Sequence, residues 1–139
     1  MIYLPSHWKR WTLTILLAAL LLLVWMYRNA TADPRLGFTR LEMDGLAAPI
    51  RLVLLSDIHM AGPDMPPERG RRIVGQINSL HPDLILIAGD FVSDKAMSTH
   101  QYSAADAVVP LAVLRARDGV IAVLGNHDHW RDAGALRTS

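Results

Sequence analysis

Ile50-Arg-Leu-Val-Leu-Leu-Ser-Asp57-Ile-His59 is the stretch on which the fold turns. Its apolar residues run together instead of alternating with polar ones, the pattern of a strand covered on both faces in a parallel sheet. The run then breaks into an acid and an imidazole. The same pattern returns twice: Leu84-Ile-Leu-Ile-Ala88 gives way to Gly89-Asp90, and Val120-Ile-Ala-Val-Leu124 to Gly125-Asn126-His127-Asp128. Between the first two strands, Ile73, Val74, Ile77 and Leu80 repeat at helical spacing, so an amphipathic helix over 67–80 is predicted. Pro67 and Glu68 suit its start, where proline loses no hydrogen bond and a carboxylate meets the positive helix end. His81-Pro82 suits its stop. Ala104 to Arg115 reads as a second helix, bent or restarted at Pro110, and Asp118-Gly119 as the turn into the third strand. The order β-α-β-α-β implies right-handed crossovers and a parallel sheet, hence an α/β domain.

In an open parallel sheet ligands bind beyond the carboxyl ends of the strands, and all three polar strings lie there. Asp57 and His59, two apart just past a strand, can point to one side and chelate one ion. Asp90 can bridge two ions through its carboxylate, with Gly89 allowing close backbone approach. Asn126 offers a second ion a neutral oxygen. Two divalent ions so held would clamp a phosphoryl group and activate water near neutral pH. His127 is placed to bond the substrate or protonate the leaving alkoxide, with Asp128 fixing its tautomer and orientation. Singly, Asp-x-His or Gly-Asp after a strand is usually a turn or a cap. Gly-Asn-His-Asp is more specific, and the three strings in order point to a metal centre.

Composition narrows the alternatives. Lys and Arg number 14 against 13 Asp and Glu, net +1, so no basic surplus argues for nucleic acid. Arg69, Arg71 and Arg72 read as a solvated helix face. With no cysteine, a metal must be held by imidazole, carboxylate or amide oxygen, a set that accepts Mn, Fe, Zn or similar ions.

The N-terminal segment is of another kind. Residues 11–27, Trp11 to Tyr27, carry no charge and are almost wholly apolar, about 17 residues or roughly 26 Å of helix, the short end of a bilayer span. Trp8, Trp11, Trp25 and Tyr27 sit at its two ends, where amphipathic rings favour the headgroups. Ala30-Thr31-Ala32 has the form of a signal-peptidase site, but Arg28 and the bulky Trp25-Met26-Tyr27 stand where a signal peptide is small and neutral, so an uncleaved anchor is favoured. A short N-terminal tail more often stays inside, which would place the domain on the exported side. The chain thus divides into a tail (1–10), a membrane anchor (11–28), a linker (29–48) with one candidate edge strand at Phe38 to Met43, and a catalytic-type domain (49–139).

Leu-Ser-Asp57-Ile-His59, Pro82-Asp-Leu-Ile-Leu-Ile-Ala-Gly89-Asp90 and Val-Leu-Gly125-Asn126-His127-Asp128 resemble the first three motifs of calcineurin-like metallophosphoesterases, over roughly Ile50 to Trp130. The single anchor is similar to that family's bacterial membrane-associated branch, some of whose members are assigned to UDP-2,3-diacylglucosamine or other lipid-related phosphoester hydrolysis. The resemblance implies a four-layer α-β-β-α sandwich, of which this chain would be the N-terminal half. It further implies that Asp57, His59 and Asp90 bind a first metal, Asp90 and Asn126 a second, and that His127 assists catalysis. The implied activity is metal-dependent hydrolysis of a phosphodiester, phosphomonoester or pyrophosphate at the membrane, on a lipid- or nucleotide-linked substrate. Family members continue for about as long again, with a further metal-binding His and a Gly-His-x-His motif. The expectation for this chain alone is therefore an incomplete cage, and the rival reading is an anchored, inactive fragment that binds metal weakly or not at all. The remaining polar residues take ordinary roles: His7, His81 and His100 on the surface or in loops, His129 packed beside the site, and Asp83 capping a turn. Asp64 and Asp94 stand on loops within reach of the centre.

Overall fold

The computed structural model describes residues 6–131 and 133–138. It resolves into two compact units, the first ending at Ala32 and the second beginning at Asp33.

The first unit is helix α1, Ser6–Ala30, 25 residues and so about 37 Å long. It extends beyond the apolar core of the segment on both sides and is exposed along its length. None of its most apolar window is buried inside the protein, and by length and composition it can cross a membrane. Thr12, Thr14 and Thr31 return their hydroxyls to the carbonyls four residues back, which removes the cost of bare hydroxyls on an apolar helix.

The second unit is a mixed α/β domain. Strands β1 (Leu52–Leu55), β3 (Leu84–Ile87) and β5 (Val120–Ala122) form a parallel sheet in the order β1-β3-β5, with Leu52 beside Leu84 and Ile85 beside Val120. The short strands β2 (Ala61–Gly62) and β4 (His100–Gln101) pair antiparallel. Helix α2, Pro67–Ser79, has proline in its first turn and stops with Leu80 as its cap. Its Gly70, Ile73, Val74 and Ile77 are buried, one stripe at i, i+3, i+4 and i+7. They pack with Ile85 and Ile87, and with Val53 and Leu55 at the margin, to make the core. Asn78 ties α2 to the segment leading into β5, donating to the Val113 carbonyl and accepting from the Arg115 amide.

The second predicted helix divides at Pro110 into α3 (Ala104–Val108) and a 3-10 turn, Leu111–Val113. Proline has no amide to carry the α-helix onward. Ser103 caps α3 in a reciprocal box with Asp106. Two short helices, α4 (Asn126–Arg131) and α5 (Ala133–Thr138), come after β5.

Three expectations differ. The unalternating strands β1 and β3 are covered on one face only and β5 on neither: Ile85 is fully buried, whereas Leu54 on the opposite face is 66% exposed and Val120 and Ile121 are 41% and 56% exposed. Phe38 to Met43 form no strand, and Phe38 and Leu41 are exposed. A strand persists only where a neighbour takes its amides, and among the described residues none lies alongside. Asp83 does not simply cap a turn: it accepts from the Arg51 amide and pairs with Arg117.

Candidate metal centre

The three polar strings gather at the carboxyl ends of β1, β3 and β5, and pairing continues past the strands to hold them. The His59 amide donates to the Asp90 carbonyl at 2.8 Å and the Met60 amide to the Phe91 carbonyl at 2.9 Å. The glycines permit the approach. Gly89 has φ 86°, and a Cβ there would run into the backbone of Gly125. A Cβ on Gly125 would in turn strike the Asp90 carboxylate.

Asp57, His59 and Asp90 themselves adopt the left-handed region, with φ of 55°, 45° and 59°. Such conformations cost about 1–3 kcal/mol each and cluster where a site needs an aimed side chain. Asp90 is buried, its Oδ1 accepting from the His127 amide at 3.0 Å. One ligand atom each from His59, Asp90 and His127 lies within 4.8 Å of the others, a spacing that could hold an ion. His59 Nδ1 is buried with no hydrogen-bond partner among the described residues. A bare buried imidazole nitrogen, on a residue grouped with the Asp90 carboxylate and a second imidazole, is what a bound cation would satisfy, so the residues present fit a divalent metal. Asp57 stands outside that trio, with Oδ1 3.7 Å from His59 Nε2 and its other oxygen taking the Ser56 hydroxyl. Asn126 is exposed at the first residue of α4.

The partner of His127 is not the one read from the sequence. His127 Nδ1 lies 2.8 Å from Asp94 Oδ1. Its ring is flanked edge-on by His59, with centroids 4.7 Å apart, and by Trp130 at 4.9 Å. Asp128, expected to orient His127, is fully buried and accepts from four backbone amides, those of Asp90, Phe91, Val92 and Gly125. It sits in the first turn of a short helix and faces back toward the loop after β3, which needs a collector for amides that have left the sheet. Asp128 is thus the clasp between the second and third strings. The signal for Asp94 was its place four residues after Asp90 on the same loop. Trp130 carried none beyond its proximity to His127. His129, expected beside the site, is exposed.

Asp64 and Lys95 flank the centre and pair at 2.9 Å. Burial alone would raise the Asp64 carboxyl, but hydrogen bonds from Lys95 and from a backbone amide, with the charges of Lys95 and Arg69, hold it below its ordinary value.

Comparison with known proteins agrees with this geometry. The family model for calcineurin-like phosphoesterases matches residues 50–138. The chain is 35% identical over 124 residues to a transmembrane protein with metallophosphoesterase domain of Danio rerio, covering 87% of this chain and 27% of that protein. It is 37% identical over 81 residues to the protein so named in Bos taurus, covering 58% of this chain and 17% of that one. It is 31% identical over 123 residues to the UDP-2,3-diacylglucosamine pyrophosphatase of Chlamydia trachomatis, covering 85% of this chain and 36% of that enzyme. The chain thus spans about a quarter or less of the length of the two transmembrane relatives. No solved structure matches it significantly. Relatives named as transmembrane proteins, together with helix α1, support a membrane protein. The three strings, their convergence and the family match lead to one conclusion: the chain belongs to the calcineurin-like phosphoesterase family.

Proposed function

We propose that this chain carries part of the catalytic centre of a membrane-anchored, metal-dependent phosphoester hydrolase with a two-metal mechanism. The observation that supports it most is the meeting of His59, Asp90 and His127 within 4.8 Å at the ends of three parallel strands. Asp57, His59 and Asp90 would hold a first divalent ion and Asp90 and Asn126 a second, and the bound pair would supply Lewis-acid activation of water and offset charge on the phosphoryl group. His127 is the group that meets the leaving oxygen. With Nδ1 held by Asp94, Nε2 remains to donate to or protonate the alkoxide. Asp94 fixes the ring and stabilises the imidazolium if one forms, the part that a carboxylate plays behind any catalytic histidine. Asp128 acts at one remove, keeping Asp90 and Gly125 in register.

The substrate class is a lipid- or nucleotide-linked phosphoester presented at a bilayer. The domain would lie on the exported side, with Lys9 and Arg10 on the inner side of the membrane. Substitution at the centre tests the reading. In the gene product carrying this chain, Asn126→Ala and His127→Ala should each reduce Mn²⁺-dependent turnover of bis(p-nitrophenyl) phosphate by about 10²-fold or more, with unchanged melting temperature. Unaltered turnover in both would overturn the assignment.

A further inference from the structure

Beside the metal centre, the carboxyl end of β1 and the amino end of α2 enclose a cavity of about 280 Å³. Its walls are Leu55, Ile58, Met65, Ile73 and Leu111, and Asp57 and His59 stand at the same cavity. The space is therefore continuous with residues assigned to the metal. Its cationic members are Arg69 and Lys95, both tied to Asp64: Lys95 through the carboxylate at 2.9 Å, Arg69 through the backbone carbonyl at 2.6 Å.

Size and lining select the class of ligand. An apolar cavity of about 150 Å³ holds benzene, and pockets for whole drug-sized ligands begin at about 300 Å³. This one, at about 280 Å³, has ample room for a ring or an alkyl segment. Its side-chain hydrogen-bonding groups belong to residues at the strand end and in the loops and to Arg69 on α2, and the Ser56 hydroxyl among them is engaged by Asp57. The five apolar walls present nothing that could read the edge of a nucleobase. They would accept a hydrocarbon, whose transfer from water gains roughly 0.8 kcal/mol per methylene.

We propose that this cavity is a substrate subsite that takes an alkyl or acyl segment of an anionic phosphoester, with the phosphate at the metal centre and Lys95 meeting negative charge at the mouth. The inference rests on the hydrolase reading and narrows it, favouring a lipid-linked over a nucleotide-linked substrate.

The test uses the full chain held in amphipol with Zn²⁺, and NMR of its histidine rings and its leucine and isoleucine methyls. Zn²⁺ should first shift the His59 and His127 ring signals. Octyl phosphate should then shift the methyls of Leu55, Ile73 and Leu111 and bind at least about ten-fold more tightly than inorganic phosphate, a gain of about two buried methylenes. Filling the cavity with Leu111→Trp should bring that advantage below about two-fold while the Zn²⁺ response stays. Lys95→Ala should weaken both anions alike. Should Leu111→Trp fail to fold, the methyl map of the wild-type chain decides by itself. Equal binding of the two anions, or shifts confined to Leu54 and Ile121 on the open sheet face, overturns the subsite alone. Histidine rings that ignore Zn²⁺ overturn both the hydrolase reading and the subsite.

Discussion

The two ends of the three-stranded sheet use one device, a carboxylate that collects backbone amides, with different consequences. At the carboxyl end Asp128 is fully buried and takes four amides from two loops. At the amino end Asp83 takes the Arg51 amide and an ion pair from Arg117, whose side chain is 63% exposed and also reaches Asp118. Desolvation separates them. A fully buried acceptor lost leaves every donor unpaired, whereas Asp83 is 21% exposed and its cationic partner lies largely in solvent, so water reaches the groups left behind. The carboxyl end can therefore hold three left-handed residues in place, and the amino end merely ties two strand starts together. The positive-φ positions there are Gly119 at φ 96° and a single non-glycine residue, His81 at φ 50°.

The largest expected effect comes from removing the buried clasp. Asp128→Ala should destabilise the domain by about 4 kcal/mol, read as a lowered denaturation midpoint of the full chain in detergent. A change below about 1 kcal/mol would erase the contrast between the two ends. Gly89→Ala comes next, at about 3 kcal/mol, because it adds both a strained φ and a collision with Gly125. It should also weaken Zn²⁺ binding, measured by titration at a temperature where the variant remains folded. At the amino end Asp83→Asn should cost about 1 kcal/mol or less and leave Zn²⁺ affinity as it was. Equal losses for Asp83→Asn and Asp128→Ala would show that burial does not govern the difference.

The smallest effect belongs to Asp106, a fully solvated version of the same device. Hydrogen bonds from the hydroxyl and amide of Ser103 hold its carboxyl below the ordinary value. A carboxyl depressed in the folded state stabilises above its unfolded pKa, and that contribution disappears as pH falls through the folded value. Asp106→Asn should thus lower the melting temperature slightly at pH 7 and not at all near pH 2. A difference that persists at pH 2 would mean that the amide fails for reasons other than charge.

Much of this was legible in the chain. Apolar runs followed by Asp-x-His, Gly-Asp and Gly-Asn-His-Asp placed the three parallel strands and brought His59, Asp90 and His127 to one end of the sheet. Pro110 and the spacing of Ile73, Val74 and Ile77 positioned the helical pieces, while Leu80, read as part of that stripe, is the cap residue of α2. The sequence could not say which acid meets His127. Asp94 and Asp128 were both near in the chain, and the choice fell to the path of the loop after β3. Nor could it show that Asp57, His59 and Asp90 would be held at positive φ, because nothing in an Asp or His side chain announces that conformation. The edge strand at Phe38 to Met43 failed for a related reason: extended propensity does not supply a neighbour.

By itself, then, the sequence determined the class of fold, the membrane-length helix and the end of the sheet where chemistry gathers. Those follow from periodicity, length and strand order, which are local properties of a chain. Only the tertiary structure decided that Asp128 is a clasp and Asp94 the partner of His127, and that a cavity adjoins Asp57 and His59. Each depends on which groups meet across distant segments, and burial then fixes how much each meeting is worth.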